Sequence, residues 1–262
     1  MSNAMVSRIS AAGQWFQPEE VSPDAAIRLL LFPHAGSGAI IYREWADLLP
    51  GHVGAQALTL PGRQERRDET PYTEWDSLLD ALFDVVRDEL DDRPFAFFGH
   101  CLGAQLAYHL TLRLAAEGMA QPLLLGASGW APEGFFNPTE KDVGMPQEEL
   151  IGWMKALGSF PSEIYDDPQV LDMVIPALRS DLAVCSRRVD RGGAVPCPLV
   201  TYGGREDALM EKEGAFSSWE NLSPRHLGHS EFSGGHFFID QHALAVTSDF
   251  ARHLEREAAA LG

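Results

Sequence analysis

One cysteine of this chain lies in a sequence setting that favours nucleophilic chemistry. It is the middle residue of the pentapeptide Gly99-His100-Cys101-Leu102-Gly103. The apolar run FAFFG before it predicts a buried strand, and a helical pattern begins at Ala104. A strand that becomes a helix within so tight a turn needs the two glycines, because side chains there would clash with the turn. Cys101 would then project above a sheet at the amino end of a helix, where the dipole favours a developing anion.

A nucleophile of this kind needs a base, and the base needs a group that orients it. His236, in the segment EFSGGHFFID, follows the last predicted strand and comes directly after two glycines. Asp207 follows the predicted strand PLVTYG, and Glu206 is the neighbouring alternative. The chain order nucleophile, acid, histidine is that of the α/β-hydrolase fold. We therefore predict a catalytic triad of Cys101, His236 and Asp207.

The elements that must position these residues alternate along the chain. Short apolar runs predict strands at residues 27–32, 54–60, 95–99, 122–127, 198–203 and 225–232, and helical spacing predicts helices at 40–49, 75–90, 104–117 and 241–261. This alternation predicts an α/β-hydrolase fold, with a mostly parallel central sheet flanked by helices. Residues 131–195 carry repeated prolines and no convincing strand. They predict a helical lid insertion over the carboxyl ends of the strands, where open sheets bind ligands.

Composition limits the partners and the surroundings of the chain. Its 262 residues, 45% of them hydrophobic, suffice for a single domain over residues 5–262. The net charge of −18 disfavours nucleic acid and anionic membranes as partners. Three cysteines are too few for a disulfide framework, which indicates a reducing cytoplasm, and no metal-ligand spacing occurs. We expect residues 1–4 to be an expression scar before a native start at Met5, with no signal peptide.

Several segments between about residues 27 and 255 share a family pattern: LLLFPHAGSGAIIYREWADLLP, LTLPGRQERRDE, DRPFAFFGHCLGA, PLLLGASGWAP, VIPALRSDL, CPLVTYGGRED and FSGGHFFID. With these segments the chain resembles the stand-alone type II thioesterases of polyketide and nonribosomal peptide assembly lines. The resemblance implies hydrolysis of acyl groups from the phosphopantetheine thiols of acyl or peptidyl carrier proteins, by a monomer without a cofactor of its own. It also implies that the backbone N–H groups of Ala35 and Leu102 receive the oxyanion, and that the lid covers a substrate channel.

Cys101 departs from this family, in which the nucleophile is serine. Either the cysteine is native or it replaced a serine to trap an acyl-enzyme, and we favour a native cysteine because nothing else in the chain looks altered. A thiolate is the stronger nucleophile, and its acyl-enzyme is again a thioester, which stays activated. Hydrolysis is the preferred interpretation, and an acyl or aminoacyl transferase that shuttles groups between carriers is the alternative. An esterase for a free small molecule and an inactive binding module are the remaining hypotheses.

Residue types and positions suggest which side chains line the expected channel. Its candidate lining residues are His34, Trp130, Phe135, Phe136, Trp153 and Phe160. The aromatic members could equally form the lid's own core, His34 would shape the oxyanion loop, and His100 would pack beneath the turn. A local basic patch for an acidic carrier protein could come from Arg63, Arg66 and Arg67, or from Arg187, Arg188 and Arg191. Solvated ion pairs are the alternative for each arginine.

Overall fold

A seven-stranded sheet forms the centre of the computed structural model, which describes residues 15–160, 162–189, 192–212 and 214–260. The predicted scar at residues 1–4 and Arg191 lie outside these residues. The strands are β1 (Phe16–Gln17), β2 (Ile27–Phe32), β3 (Val53–Leu58), β4 (Phe95–His100), β5 (Leu125–Ser128), β6 (Leu199–Gly204) and β7 (His226–Phe232). Their order is β1-β3-β2-β4-β5-β6-β7. Strands β2 to β7 pair in parallel, and β1 pairs antiparallel with β3.

Helices cover both faces of this sheet. They are α1 (Trp45–Leu48), α2 (Trp75–Glu89), α3 (Leu102–Ala116), α4 (Glu140–Val143), α5 (Gln147–Leu157), α6 (Pro168–Ser186), α7 (Phe238–Gln241) and α8 (Ala243–Ala259). Short 3-10 segments occur at Ala39–Tyr42, Gln64–Arg66, Ser162–Asp166 and Ala215–Asn221. Alternate residues of β2 enter opposite layers, because successive side chains of a strand point to opposite faces. Leu30 and Phe32 join the core under α2 and α3, whereas Leu29 and Leu31 join the core under α1 and α8. The predicted fold class is confirmed.

The segment between β5 and β6 holds α4, α5 and α6. Its apolar side chains form a cluster of their own, which includes Leu150, Met154, Tyr165, Ile175 and Leu182. Helix α6 begins at a favourable cap, since the Asp167 carboxylate accepts the N–H of Gln169 at 2.9 Å and Pro168 occupies the first helical position. The cluster gives these helices a packed interior of their own.

Two short elements show the clearest differences between the structure and the sequence prediction. The expected helix at 40–49 is a 3-10 turn at Ala39–Tyr42 followed by the four-residue helix α1. Strand β1 was not expected, because two residues are too short for any periodicity to register. In the part of the chain that the structure describes, no helix is both long enough and apolar enough to span a bilayer.

Candidate active site

The turn after β4 has the strained geometry that its sequence predicts. Cys101 has a φ of +56° and stands at the start of α3. A Cβ at Gly99 would lie 2.2 Å from the carbonyl oxygen of Gly103, and a Cβ at Gly103 would lie 1.9 Å from that of Phe32. Real side chains do not approach backbone so closely, so both glycines are required. The N–H of Cys101 also donates to the carbonyl of Ser128 at 2.8 Å, which ties the turn to β5.

His236 and Asp207 meet at the carboxyl ends of the neighbouring strands. Asp207 follows β6 and His236 follows β7, and the imidazole Nδ1 donates to Oδ2 of the carboxylate at 2.8 Å. Both side chains are 1% exposed. The other carboxylate oxygen accepts the N–H of Leu209 at 2.9 Å, which holds the acid in place. With the proton on Nδ1, the Nε2 atom is the one that can take up a proton.

The Nε2 atom of His236 is buried, and the side chains of His236 and Cys101 interact and line one cavity. Burial lowers the pKa of His236, because it takes the imidazolium out of water. The charge that Cys101 carries as a thiolate, together with hydrogen bonds to Asp207 and Cys101, outweighs burial and raises this pKa to about 10. An imidazolium beside a thiolate is the ion pair that activates a cysteine nucleophile.

Glu206, the alternative acid, makes a different contact. It is exposed, and its Oε2 accepts the N–H of Gly234 at 2.5 Å. Glu206 therefore braces the loop that carries His236, while Asp207 is the carboxylate that contacts the imidazole.

Two further buried histidines flank this group. The ring of His100 lies 4.9 Å from the ring of His236, and its Nδ1 lies 2.9 Å from the hydroxyl of Ser128. Burial lowers the pKa of His100 well below its usual range, and it lowers the pKa of His34 to about 4. Both rings are neutral at neutral pH, so neither replaces His236 as the local cation.

The loop after β2 bends back in a tight turn over residues 34–37. The N–H of Ser37 donates to the carbonyl of His34 at 3.2 Å, and Gly36 has a φ of +78°. A positive φ at the third position is the mark of a type II turn. The N–H groups of Ala35, in this turn, and of Leu102, at the start of α3, donate to no loop or turn carbonyl of the described residues. Both amides are therefore available to an acceptor above Cys101.

An apolar cavity lies over Cys101 and under the insertion. Of the predicted channel residues, His34, Phe135, Phe136, Trp153 and Phe160 line it. Helix α6 adds four residues of one face, namely Val174, Leu178, Leu182 and Cys185. A polar side chain in this wall is Gln105, whose buried Oε1 has no hydrogen-bond partner among the described residues. Such a lining suits an apolar acyl chain and disfavours charged groups.

Trp130 lies elsewhere, which corrects its predicted place in the channel. It is fully buried and packs 5.2 Å from the ring of Trp219 and 5.7 Å from the ring of Tyr108. It follows β5 almost directly, so its side chain turns into the core beside α3 rather than toward the cavity.

Most of the arginines considered for a basic patch form ion pairs within the fold. The ion pairs are Arg63–Asp181, Arg66–Glu69, Arg187–Glu74 and Arg187–Glu140. The side chains of Arg63 and Arg66 are also buried, whereas Arg67 is exposed. The first trio therefore does not form a basic surface, because the guanidinium groups of Arg63 and Arg66 are buried and each is paired with a carboxylate. Arg191, the last member of the second trio, lies outside the described residues.

Asp181, which no sequence pattern marked as a site residue, lies beside the turn at residues 34–37. Its carboxylate accepts the N–H of Gly36 at 2.7 Å. The sequence did offer a signal for Asp181. It is the acidic residue of VIPALRSDL, one of the segments that carry the family resemblance.

The thioesterase domain family matches residues 27–257 of this chain. The chain belongs to that family. The gramicidin S biosynthesis protein GrsT of Aneurinibacillus migulanus is 28% identical to it, over 88% of this chain and 90% of its own length. The medium-chain S-acyl fatty acid synthase thioesterase of Homo sapiens is 26% identical, over 83% of each chain. The structure of BorB, a type II thioesterase from the borrelidin biosynthetic cluster, matches with a TM-score of 0.81 at 28% identity, over 92% of this chain and 97% of BorB.

These likenesses confirm the predicted resemblance to type II thioesterases, and with it a thioester hydrolase on an α/β-hydrolase fold. The residues that line the cavity and the buried His236–Asp207 pair all lie within residues 27–257, the range that the thioesterase family matches.

Proposed function

We propose that this thioesterase releases acyl groups from the phosphopantetheine thiols of acyl or peptidyl carrier proteins through a covalent intermediate on Cys101. The observation that carries the proposal is the arrangement of Cys101 on its strained turn beside His236, which binds Asp207 at 2.8 Å. The names of GrsT and BorB tie those relatives to gramicidin S and borrelidin biosynthesis, which supports an assembly line as the setting.

In the first half-reaction the Cys101 thiolate attacks the carbonyl carbon of the carrier thioester, and a new carbon–sulfur bond forms. The carbonyl oxygen becomes an oxyanion, to which the N–H groups of Ala35 and Leu102 donate. Collapse of this intermediate breaks the bond to the pantetheine sulfur. The leaving thiolate takes the proton from Nε2 of His236, so the carrier departs as a free thiol.

In the second half-reaction His236, now neutral, accepts a proton from a water molecule as the water oxygen attacks the acyl carbon. The oxyanion forms again in the same place, and its collapse breaks the bond to Cys101. A carboxylic acid leaves, and the thiolate–imidazolium pair is restored. Asp207 stays ionised throughout and stabilises the imidazolium through its hydrogen bond to Nδ1.

Transfer to a second acceptor is the competing function, and the sulfur of Cys101 is the observation that favours it. An acyl group on cysteine remains a thioester, so its passage to another carrier thiol exchanges one thioester for an equivalent one. An acyl group on serine would be a more stable ester. The two functions share the first half-reaction and differ only in what attacks the acyl-Cys101 intermediate.

Intact-protein mass spectrometry separates these functions. A carrier protein is loaded with an acyl phosphopantetheine and mixed with the enzyme, and the masses of both proteins are followed. We expect the acyl mass to leave the carrier as free acid, with a transient adduct on Cys101. An adduct that persists until a second, unloaded carrier is added would support transfer in place of hydrolysis. If the acyl mass stays on the carrier and no adduct forms, both functions are contradicted.

Two variants of Cys101 complete this test. Cys101→Ala should abolish both the adduct and the loss of acyl mass, and unchanged turnover would exclude Cys101 as the nucleophile. Cys101→Ser should retain hydrolysis, because the turn, the base and the oxyanion donors stay in place. Complete loss of activity in the serine variant would count against a simple hydrolase.

A further inference from the structure

A buried ion pair joins the insertion to the turn at residues 34–37. Asp181 is 1% exposed on α6, and Arg63 is 5% exposed in the loop that follows β3. The guanidinium donates to both carboxylate oxygens, Nη1 to Oδ2 at 2.6 Å and Nη2 to Oδ1 at 2.7 Å. Nη1 donates also to the carbonyl of Ser37 at 2.9 Å, so one arginine contacts the insertion and the turn together.

The carboxylate of Asp181 reaches the turn directly as well. Its Oδ2 accepts the N–H of Gly36 at 2.7 Å, and the carbonyl of the same peptide, that of Ala35, accepts a hydrogen bond from Nδ1 of His34 at 2.9 Å. The central peptide of a type II turn can rotate to give a type I turn unless something holds it. Here its two polar atoms are bound on opposite sides, so this peptide is fixed.

Helix α6 also packs against the turn. A Cβ at Gly36 would lie 3.2 Å from Cβ of Leu178, one turn before Asp181 on the same helix face. Leu178 and Leu182 belong to the wall of the cavity. One face of α6 therefore contacts both the space for the acyl group and the turn that offers the N–H of Ala35.

We propose that Asp181, held by Arg63, is a positioning residue that keeps the turn at residues 34–37 in the conformation that receives the oxyanion. The insertion would thus contribute to turnover itself and not only cover the substrate. This inference rests on the proposed function, because it assumes that an oxyanion forms above Cys101. Neither Asp181 nor Arg63 touches the reacting atoms, and both act through the backbone of residues 34–37.

Three variants separate the hydrogen bond from the ion pair. Asp181→Ala removes the acceptor for Gly36 and leaves Arg63 buried without its partner, which is destabilising. Arg63→Met keeps the acceptor but leaves the carboxylate unpaired. The double variant Asp181→Ala/Arg63→Met removes both charges and should recover much of the lost stability.

The decisive comparison is between two reactions of Cys101. Hydrolysis of an acyl pantetheine thioester passes through an oxyanion, whereas alkylation by iodoacetamide is a direct displacement that forms none. We expect Asp181→Ala to lower kcat by about 100-fold, the loss typical of a missing oxyanion contact, with KM and the alkylation rate little changed. The double variant should regain thermal stability but not kcat. Recovery of kcat together with stability, or an equal fall in both reactions, would overturn the inference.

Amide hydrogen exchange tests the same contact without any turnover. The N–H of Gly36 should exchange faster in Asp181→Ala and remain protected in Arg63→Met, and unchanged exchange in both variants would also overturn the inference. This measurement distinguishes the inference from the proposed function: wild-type enzyme that hydrolyses no thioester refutes the function, while Gly36 exchange still reports on the turn. A control is Arg28→Met, which removes the buried arginine of a partly buried pair, Arg28–Glu89 at 3.1 Å, near the opposite ends of the strands. It should lower stability without lowering kcat.

Discussion

At the scale of single residues, the ionisation of His236 decides what Cys101 can do. Burial alone would keep this imidazole neutral, as it does for His34 and His100 nearby. The difference comes from the charge that Cys101 carries when it is a thiolate and from the Asp207 carboxylate, which act in the same direction. A histidine that keeps its proton beside a thiolate is a ready acid for the leaving thiol, which is what the first half-reaction needs.

The coupling can be measured at His236 itself. Because the charge of Cys101 is the largest influence that raises the pKa of His236, Cys101→Ala should lower this pKa from about 10. Nitrogen-15 NMR titration of the ring should show an imidazolium that persists through neutral pH in the wild type and titrates at lower pH in the variant. Equal titration midpoints would show that Cys101 carries no charge in the resting enzyme.

The sequence predicted the candidate catalytic residues of this site, but it did not predict the residues that hold the neighbouring turn. Cys101, Asp207 and His236 each follow a predicted strand, and in the structure they do lie together at one edge of the sheet. The roles of Asp181 and Arg63 could not be read, because the two are far apart in the chain and no local pattern pairs them. Trp130 was misplaced for a similar reason, since the direction of a side chain after a strand depends on packing that a linear pattern lacks.

At the scale of elements, the turn between β4 and α3 is where sequence and geometry agree most closely. Its glycines are required by backbone approaches of about 2 Å, which no side chain relieves by moving. The strands β2 to β7 were also predicted to within a few residues. For β2, β4, β5 and β6 the reason is that buried parallel strands have largely apolar sequences. Strand β1 and the broken helix near α1 were not predicted, since such short elements depend on tertiary contacts and have little periodicity of their own.

Two helical glycines provide a matched test of this turn. Gly103→Ala in α3 should cost more than about 4 kcal/mol of unfolding free energy or prevent folding, because its Cβ would collide with the Phe32 carbonyl. Gly152→Ala in α5 has open space around it and should stabilise the protein by about 0.5–1 kcal/mol, through the higher helix propensity of alanine. Chemical denaturation of both variants measures the difference. Equal effects would mean that the turn does not need the glycine.

At the scale of the whole molecule, the net charge of −18 opposes the acidic carrier proteins that we propose as partners. The arginines that could have offset this repulsion are largely paired within the fold, as Arg63 is with Asp181 and Arg187 with Glu74 and Glu140. Long-range electrostatics would then slow the encounter with a carrier and leave small neutral substrates unaffected.

This repulsion predicts an unusual salt dependence. Raising ionic strength from about 10 to about 100 mM shortens the screening length from about 30 to about 10 Å. The KM for an acyl carrier protein should fall over this range, because screening weakens the repulsion. The KM for the same acyl group on uncharged pantetheine is the control and should stay constant. A KM for the carrier that rises with salt would instead indicate attraction through a basic surface.

The buried pair between α6 and the loop after β3 has a consequence for how thioesterases of this kind can be recombined. Grafting an insertion from another family member is an obvious way to change acyl preference, since the insertion supplies much of the cavity wall. A donor segment without an acid at the position of Asp181 would leave the Arg63 guanidinium buried without a charged partner, which is destabilising. Chimaeras should therefore exchange the two segments as one module, residue 63 together with residue 181.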